Sequence, residues 1–188
     1  MLTTIRNAWR VPEIRKKIVF TLIMLLFFRL LSFIPVPGIS GMGEAIENSG
    51  IGFFDIMTLV SGSSLSQFTM MGLGISPYIN ASIIMQLLTV VVPKWAAWQK
   101  EGGEEGKQKI NRITRYVTVA LAALQAIGII AGLQKSGNVL YPAYQNFFGY
   151  MTIGVIMAGG TALAMWIGER ITENGIGNGI SLLIMAGI

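Results

Sequence analysis

The sequence predicts an all-α, polytopic membrane helix bundle, and three observations carry that prediction. Hydrophobic residues make up 53% of the chain and charged residues only 12%, about half the ~25% charge of an ordinary soluble domain. The apolar residues collect in runs of membrane-spanning length separated by polar stretches. Twelve of the 14 lysines and arginines precede the first run or fall between alternate runs. Arg6, Arg10, Arg15, Lys16 and Lys17 precede the first run, and Lys94, Lys100, Lys107, Lys109, Arg112 and Arg115 stand between the second and third. Arg170 follows the fourth, Lys135 alone lies on the opposite side, and Arg29 sits inside the first run. The positive-inside rule then puts the N-terminus and alternate loops in the cytoplasm. The formal charge of +5 is therefore topological and argues against a DNA partner. Ribosomal RNA stays open as a partner for the basic loop.

Composition also removes chemistry. The chain has no cysteine and no histidine, which excludes disulfides, His/Cys metal sites, thiol nucleophiles and His-based triads. No Ser-x-x-Lys or Gly-x-Ser-x-Gly motif is present. The reading is of a non-enzyme with no catalytic residue, no metal and no cofactor.

Residues 1–17 form the first segment, a basic amphipathic stretch at the cytoplasmic interface with Ile5, Trp9 and Ile14 on its apolar side and Pro12 as a break. A disordered basic tail is the alternative. Residues 18–34 are the first span, interrupted only by Thr21, Arg29 and Ser32. No small-x-small cleavage site follows, so the run is a retained helix and not a signal peptide. Arg29 either snorkels or meets a carboxylate. Pro35-Val-Pro-Gly38 stops the helix.

After an outer loop carrying Glu44 and Glu47, residues 52–60 form an apolar piece too short to cross the bilayer. As a surface helix it would expose Phe53, Phe54, Ile56 and Leu59, which favours a re-entrant segment buried in a funnel.

Residues 75–92 are the second span, and the rest of the chain is organised around it. At about 100° per residue, Ile75, Ile79, Ser82, Gln86 and Thr89 share one face, apolar at one end and polar at the other. The Gly72-x-Gly74 pair breaks the chain ahead of it, Ser76 is placed to cap the helix, and Pro77 suits its first turn. A short apolar piece, a glycine break and a full helix together resemble a discontinuous membrane segment lining a cavity. Pro93 stops the span, and Trp95 and Trp98 anchor it at the interface.

Residues 99–112 read as a charged, glycine-containing cytoplasmic loop, either a solvated turn or a docking surface. The third span covers residues 113–133, with Gln125 in its middle, and residues 134–146 form an outer loop. The fourth span covers residues 147–168. Its Gly154, Gly159 and Gly160 suit close helix packing. Residues 169–179 make a short cytoplasmic turn whose glycines form a tight connection between helices and no phosphate cradle. The fifth span opens at residue 180 and the sequence given ends nine residues in, at Ile188. Half a bilayer is left uncrossed, so the sequence is read as part of a longer chain.

Four stretches carry a specific resemblance. Phe33-Ile-Pro-Val-Pro-Gly38, Gly74-Ile-Ser-Pro-Tyr-Ile-Asn-Ala-Ser-Ile-Ile-Met-Gln-Leu-Leu-Thr-Val90, Arg112-Ile-Thr-Arg-Tyr116 and Gly168-Glu-Arg-Ile-Thr-Glu-Asn-Gly-Ile-Gly-Asn-Gly-Ile-Ser181 closely resemble the bacterial SecY family, in order and over essentially the whole chain. SecY is the ten-helix channel subunit of the Sec translocon, two pseudo-symmetric five-helix halves. The resemblance implies the N-terminal half, residues 18–188, with a re-entrant half-helix plug over about 53–68. It implies that Ile75, Ile79 and Ile184 belong to a pore ring and that Phe53, Phe54, Ile56, Leu59, Ser61 and Leu65 belong to the plug. It places Asn80, Ile83, Gln86 and Gln125 at a lateral gate and Lys100, Lys107, Lys109 and Arg112 in a region adjoining cytoplasmic partners.

The implied partners are the SecE and SecG subunits, a SecA motor or a ribosome, the signal sequence and nascent chain of a preprotein, and membrane lipid. The implied location is the cytoplasmic membrane. Without the resemblance, the isoleucines would read as ordinary helix packing. The rival function is half of a small-solute secondary transporter, which also uses broken helices but carries a mid-membrane carboxylate that these spans lack.

Overall fold

A computed structural model describes residues 11–39, 68–100, 102–136 and 140–187. Within them the chain is helical: α1 (Pro12–Leu31), α2 (Ser76–Val91), α3 (Pro93–Lys100), α4 (Gly103–Ser136), α5 (Phe147–Asn174) and α6 (Gly179–Gly187). A single 3-10 turn, Pro142–Tyr144, precedes α5. Among the described residues there is no strand beyond two isolated antiparallel bridges, Pro35 with Thr69 and Ile39 with Leu140.

α1 begins earlier than the apolar run. Pro12 supplies a fixed φ at the first turn and Glu13 faces the positive end of the helix dipole. Arg15, Lys16 and Lys17 therefore belong to the same helix as the apolar residues, so the break at Pro12 is a helix start. Residues 1–10 lie outside the described residues. Ser32 closes α1, its hydroxyl donating to the Phe28 carbonyl at 3.0 Å. Arg29 finds no carboxylate among the described residues; its guanidinium lies 6.0 Å from the Phe33 ring centroid, a cation–π contact at the helix end.

The expected loop over residues 99–112 is a correction. Of those residues, 99 and 100 end α3 and 103–112 are the first ten of α4, and Glu104 and Glu105 occupy the first turn of α4 where the helix dipole favours them. Lys107 pairs with Glu104 at 3.1 Å, one helical turn away. Gly106 does not break the helix, because its bare Cα is what lets α4 approach the Trp98 carbonyl. At 34 residues, α4 is about 51 Å long, well beyond a hydrocarbon core of about 30 Å, so its charged start projects past the apolar part. α4 also runs three residues into the expected outer loop, and α5 continues through residues 169–174, leaving a turn of only residues 175–178.

Two helices, residues 103–132 of α4 and all of α5, are long and apolar enough to cross a membrane, and α2 is a shorter apolar helix. Leu22, Ile23, Leu26 and Leu30 of α1 and Leu87, Val90 and Val91 of α2 are all more than half exposed. In lipid such faces carry no cost.

α5 is the hub. One core cluster packs Ala122, Ala126 and Ile130 of α4 against Ile153 and Met157 of α5, sealed by Val36, Phe68, Leu73 and Leu140. The other packs Phe28 of α1, Met71 and Ile75 before α2, Ile167 and Ile171 of α5, and Leu183 of α6. The expected role of the α5 glycines divides. A Cβ on Gly154 would meet Ile127 at 3.1 Å and one on Gly160 would strike the Met70 carbonyl, whereas Gly159 faces open space. Gly160→Ala is expected to cost about 1–3 kcal/mol by overpacking, and Gly159→Ala to be neutral or slightly stabilising. Denaturant unfolding of the two variants in detergent, followed by circular dichroism, checks the difference; equal midpoints would contradict the packing.

Candidate functional site

The segment leading into α2 sets the site. Met70 donates its N–H to the Ile34 carbonyl at 2.9 Å and Val36 donates to the Phe68 carbonyl at 3.0 Å, tying this segment to the chain after α1. Gly74 then takes φ +54°, a left-handed conformation that suits glycine, and its N–H donates to the Met71 carbonyl at 2.8 Å. The helix starts at Ser76, one residue earlier than a Ser76 cap would place it. Ile75 is the capping residue, it has no side-chain cap bond, and its carbonyl accepts from Tyr78 at 3.0 Å and Ile79 at 3.1 Å. The glycine turn has already aimed the backbone, so no side-chain cap is needed to start it.

Ile75, Ile79 and Ile184 line one cavity of about 70 Å3, together with Phe28, Met71, Leu73 and Leu183. That is room for roughly two waters at ~30 Å3 each. Ile75 is only 6% exposed. Among the described residues, Ser32 and Ser76 supply the only side-chain hydroxyls on the wall, and the Ser32 proton is already committed to Phe28. Such a wall offers water few partners.

Further along α2 the surroundings turn polar. Ser82, Gln86 and Thr89 line a cavity of about 180 Å3 with Asn111 and Thr114 of α4. A neighbouring cavity of about 280 Å3 shares Tyr78 and Asn111 and adds Arg115, Glu169, Thr172, Glu173 and Asn178. The helical face read from the sequence therefore divides between an apolar cavity and a polar cleft. Two of its hydroxyls are satisfied within their own helix: Ser82 donates to the Ile79 carbonyl at 2.8 Å and Thr89 to the Gln86 carbonyl at 2.7 Å. Gln86 keeps its amide for the cleft.

Within the cleft Arg115 of α4 grips Glu169 of α5 in a two-pronged ion pair, Nε to Oε1 at 2.9 Å and Nη2 to Oε2 at 2.8 Å. Sequence reading put Arg115 with the cations between the second and third runs and did not pair it with Glu169. The signal was there, since opposite charges at the same end of consecutive antiparallel spans lie at one depth.

The remaining sequence-derived residues are dispersed. Asn80 and Ile83 are exposed on α2, and Gln125 is half-buried in α4 with a buried Oε1 that has no partner among the described residues. These do not join Gln86 in the cavities described above. Lys107, Lys109 and Arg112 are exposed along the start of α4, and Lys100 closes α3, its side chain outside the described set. Phe53, Phe54, Ile56, Leu59, Ser61 and Leu65 lie outside the described residues. Among the described residues no group of three acidic, histidine or cysteine side chains could hold a metal.

The SecY family model matches residues 69–188. A protein translocase subunit SecY from Bacillus subtilis (strain 168) is 45% identical over 190 positions, covering 100% of this chain and 43% of that protein. Its counterpart from Lactococcus lactis subsp. lactis (strain IL1403) is 41% identical over 186 positions, covering 98% of this chain and 42% of that protein. The chain thus spans less than half the length of the curated relatives it matches. Among solved structures, Sec61 in the canine ribosome-channel complex from the endoplasmic reticulum superposes with a TM-score of 0.65 at 21% identity, covering 97% of this chain and 40% of that one. A structure described as that of a protein conducting channel matches with the same score, identity and coverage. This agreement establishes the fold. It lends nothing to the transporter reading.

Glu169→Gln and Arg115→Gln should each destabilise the protein, while the double variant should recover part of the loss. The coupling expected for a half-exposed bidentate pair is about 1 kcal/mol. A double-mutant cycle of unfolding midpoints measures it, and a coupling of zero would mean the pair is geometric only.

Proposed function

Because this chain belongs to the SecY family, we propose that it forms one half of the wall of a protein-conducting channel, which passes unfolded preproteins across the cytoplasmic membrane and releases apolar segments sideways into lipid. The observation that carries the proposal is the meeting of Ile75, Ile79 and Ile184 at one small apolar cavity next to a polar cleft. In this reading the three isoleucines are pore-ring residues. Side chains of this kind hold a constriction free of water and so block ions by dewetting. Aliphatic side chains make no directional bonds, so they part for a polypeptide and close behind it. The cleft of Ser82, Gln86, Asn111 and Arg115 keeps the approach wet.

The finer assignments rest on the family. Residues 53–68 serve as the plug, from Phe53 to Leu65. Asn80, Ile83, Gln86 and Gln125 belong to the lateral gate, where the exposed apolar face of α2 (Ile83, Leu87, Val90) offers a surface to a signal sequence. Lys100, Lys107, Lys109 and Arg112 face a SecA motor or a ribosome, and the projecting start of α4 supports that placement because it extends beyond the bilayer. SecE and SecG complete the assembly, and the N-terminus is cytoplasmic. The chain performs no covalent chemistry; a motor or ribosome supplies the energy.

The test is resting ion conductance of the full-length protein in a planar bilayer. Ile79→Gly removes a side chain from the constriction and should raise the conductance severalfold, while Val90→Gly, on the exposed face, should not. An Ile79→Gly channel as tight as the parent would remove the constriction from the account.

A further inference from the structure

The turn between α5 and α6 is fastened by three side-chain oxygens. Asn178 Oδ1 accepts the Ile180 N–H at 3.0 Å, and Thr172 Oγ1 accepts the Gly179 N–H at 2.9 Å while donating to the Gly168 carbonyl at 2.9 Å. Both of these are local. The third comes from the far end of the sequence: Thr21 of α1 accepts the Ile176 N–H at 3.2 Å and donates its own proton to the Lys17 carbonyl at 2.8 Å. A threonine hydroxyl has one proton and two lone pairs, so Thr21 can serve its own helix and the turn together. It is 7% exposed, and a Cβ on Gly175 would stand 2.5 Å from its Oγ1. The turn therefore lies directly on the hydroxyl.

From this fastening both α1 and the turn leading into α6 run to the apolar cavity. Seven residues after Thr21 is Phe28, and seven after Ile176 is Leu183. Both line the cavity, Leu183 next to Ile184, and both belong to one core cluster. We propose that the Thr21 hydroxyl, by holding the Ile176 N–H, sets the register of α6 against α1 and so positions Leu183 and Ile184 in the wall of the constriction. The inference rests on the constriction reading above and makes Thr21 a positioning residue for it.

Three other threonine hydroxyls serve as a contrast. Thr114, Thr118 and Thr152 donate to carbonyls of their own helices, a bond that orders a side chain but joins nothing. Valine at Thr21 keeps the shape and removes the acceptor, leaving a partly buried N–H without its partner.

The experiment uses the full-length protein; residues 1–188 contain no native cysteine, and any cysteine elsewhere in the chain is replaced by serine. Resting conductance is measured for Thr21→Val, Thr21→Ser and Thr152→Val. Separately, each substitution is placed in a Phe28→Cys/Leu183→Cys background and the yield of a short bis-maleimide cross-link is measured. Thr21→Val should raise conductance and lower the cross-link yield about fivefold, the worth of one such bond. Thr21→Ser should restore both, and Thr152→Val should change neither. Should the valine variant not assemble, Thr21→Ala repeats the comparison.

An unchanged cross-link in Thr21→Val, whatever the conductance, or a serine variant that behaves like valine, overturns the proposal. A lowered cross-link with Ile79→Gly and Thr21→Val both electrically silent has a different meaning: the register clamp stands and the constriction reading falls.

Discussion

Everything in this fold depends on how closely other segments can approach α5. In a bilayer the hydrophobic effect does not drive one helix against another, since lipid is as apolar as leucine, and association relies on van der Waals fit and on bonds made where backbones come close. α5 supplies that closeness with glycine. Its bare Cα at Gly160 admits the Met70 carbonyl, at Gly168 a Cβ would stand only 3.2 Å from Ile180 and Leu183 of α6, and Gly179 of α6 rests on the Gly168 carbonyl. The segment before α2 and the start of α6 are both located by these notches. Ile75, Ile79 and Ile184 meet because α5 brings their two segments within reach of each other.

The same arrangement separates two environments along one helix. Near its N-terminus α2 faces Phe28, Met71 and Leu183 on one side, while Tyr78 borders the Arg115–Glu169 pair and the residues on to Thr89 face Asn111 and Thr114. An ion in the cleft keeps polar partners, and at the isoleucines it loses them within a few ångströms, where transfer of an unpaired charge is costly. A steep barrier of this kind needs very little material. On the proposed reading, a polypeptide bringing its own apolar side chains would meet a softer obstacle there than an ion would.

Much of this was legible beforehand. The apolar runs, their order and the divided face of α2 follow from periodicity, because a helix turns a spacing of three and four residues into a surface. The family resemblance then attached roles that periodicity cannot supply. What escaped the sequence was where polarity and helix coexist. Residues 103–112 carry five charged side chains and two glycines, a loop by composition, yet Glu104 and Glu105 are placed where a helix N-terminus welcomes them and Lys107 pairs with Glu104. Ser76 has the chemistry of a cap, but the Gly74 turn had already done its work. The Arg115–Glu169 and Thr21–Ile176 contacts join residues 54 and 155 apart, and no local pattern announces such distances.

The central claim is that the three isoleucines surround a translocating chain. Single cysteines at Ile75, Ile79 and Ile184 in the full-length, reconstituted protein, challenged with a stalled secretory polypeptide that carries one cysteine, test it most directly. The account predicts disulfide cross-links at all three positions and none at Val90 on the outward face of α2. A folded, engaged complex with no cross-link at the isoleucines would return them to ordinary helix packing and contradict the account.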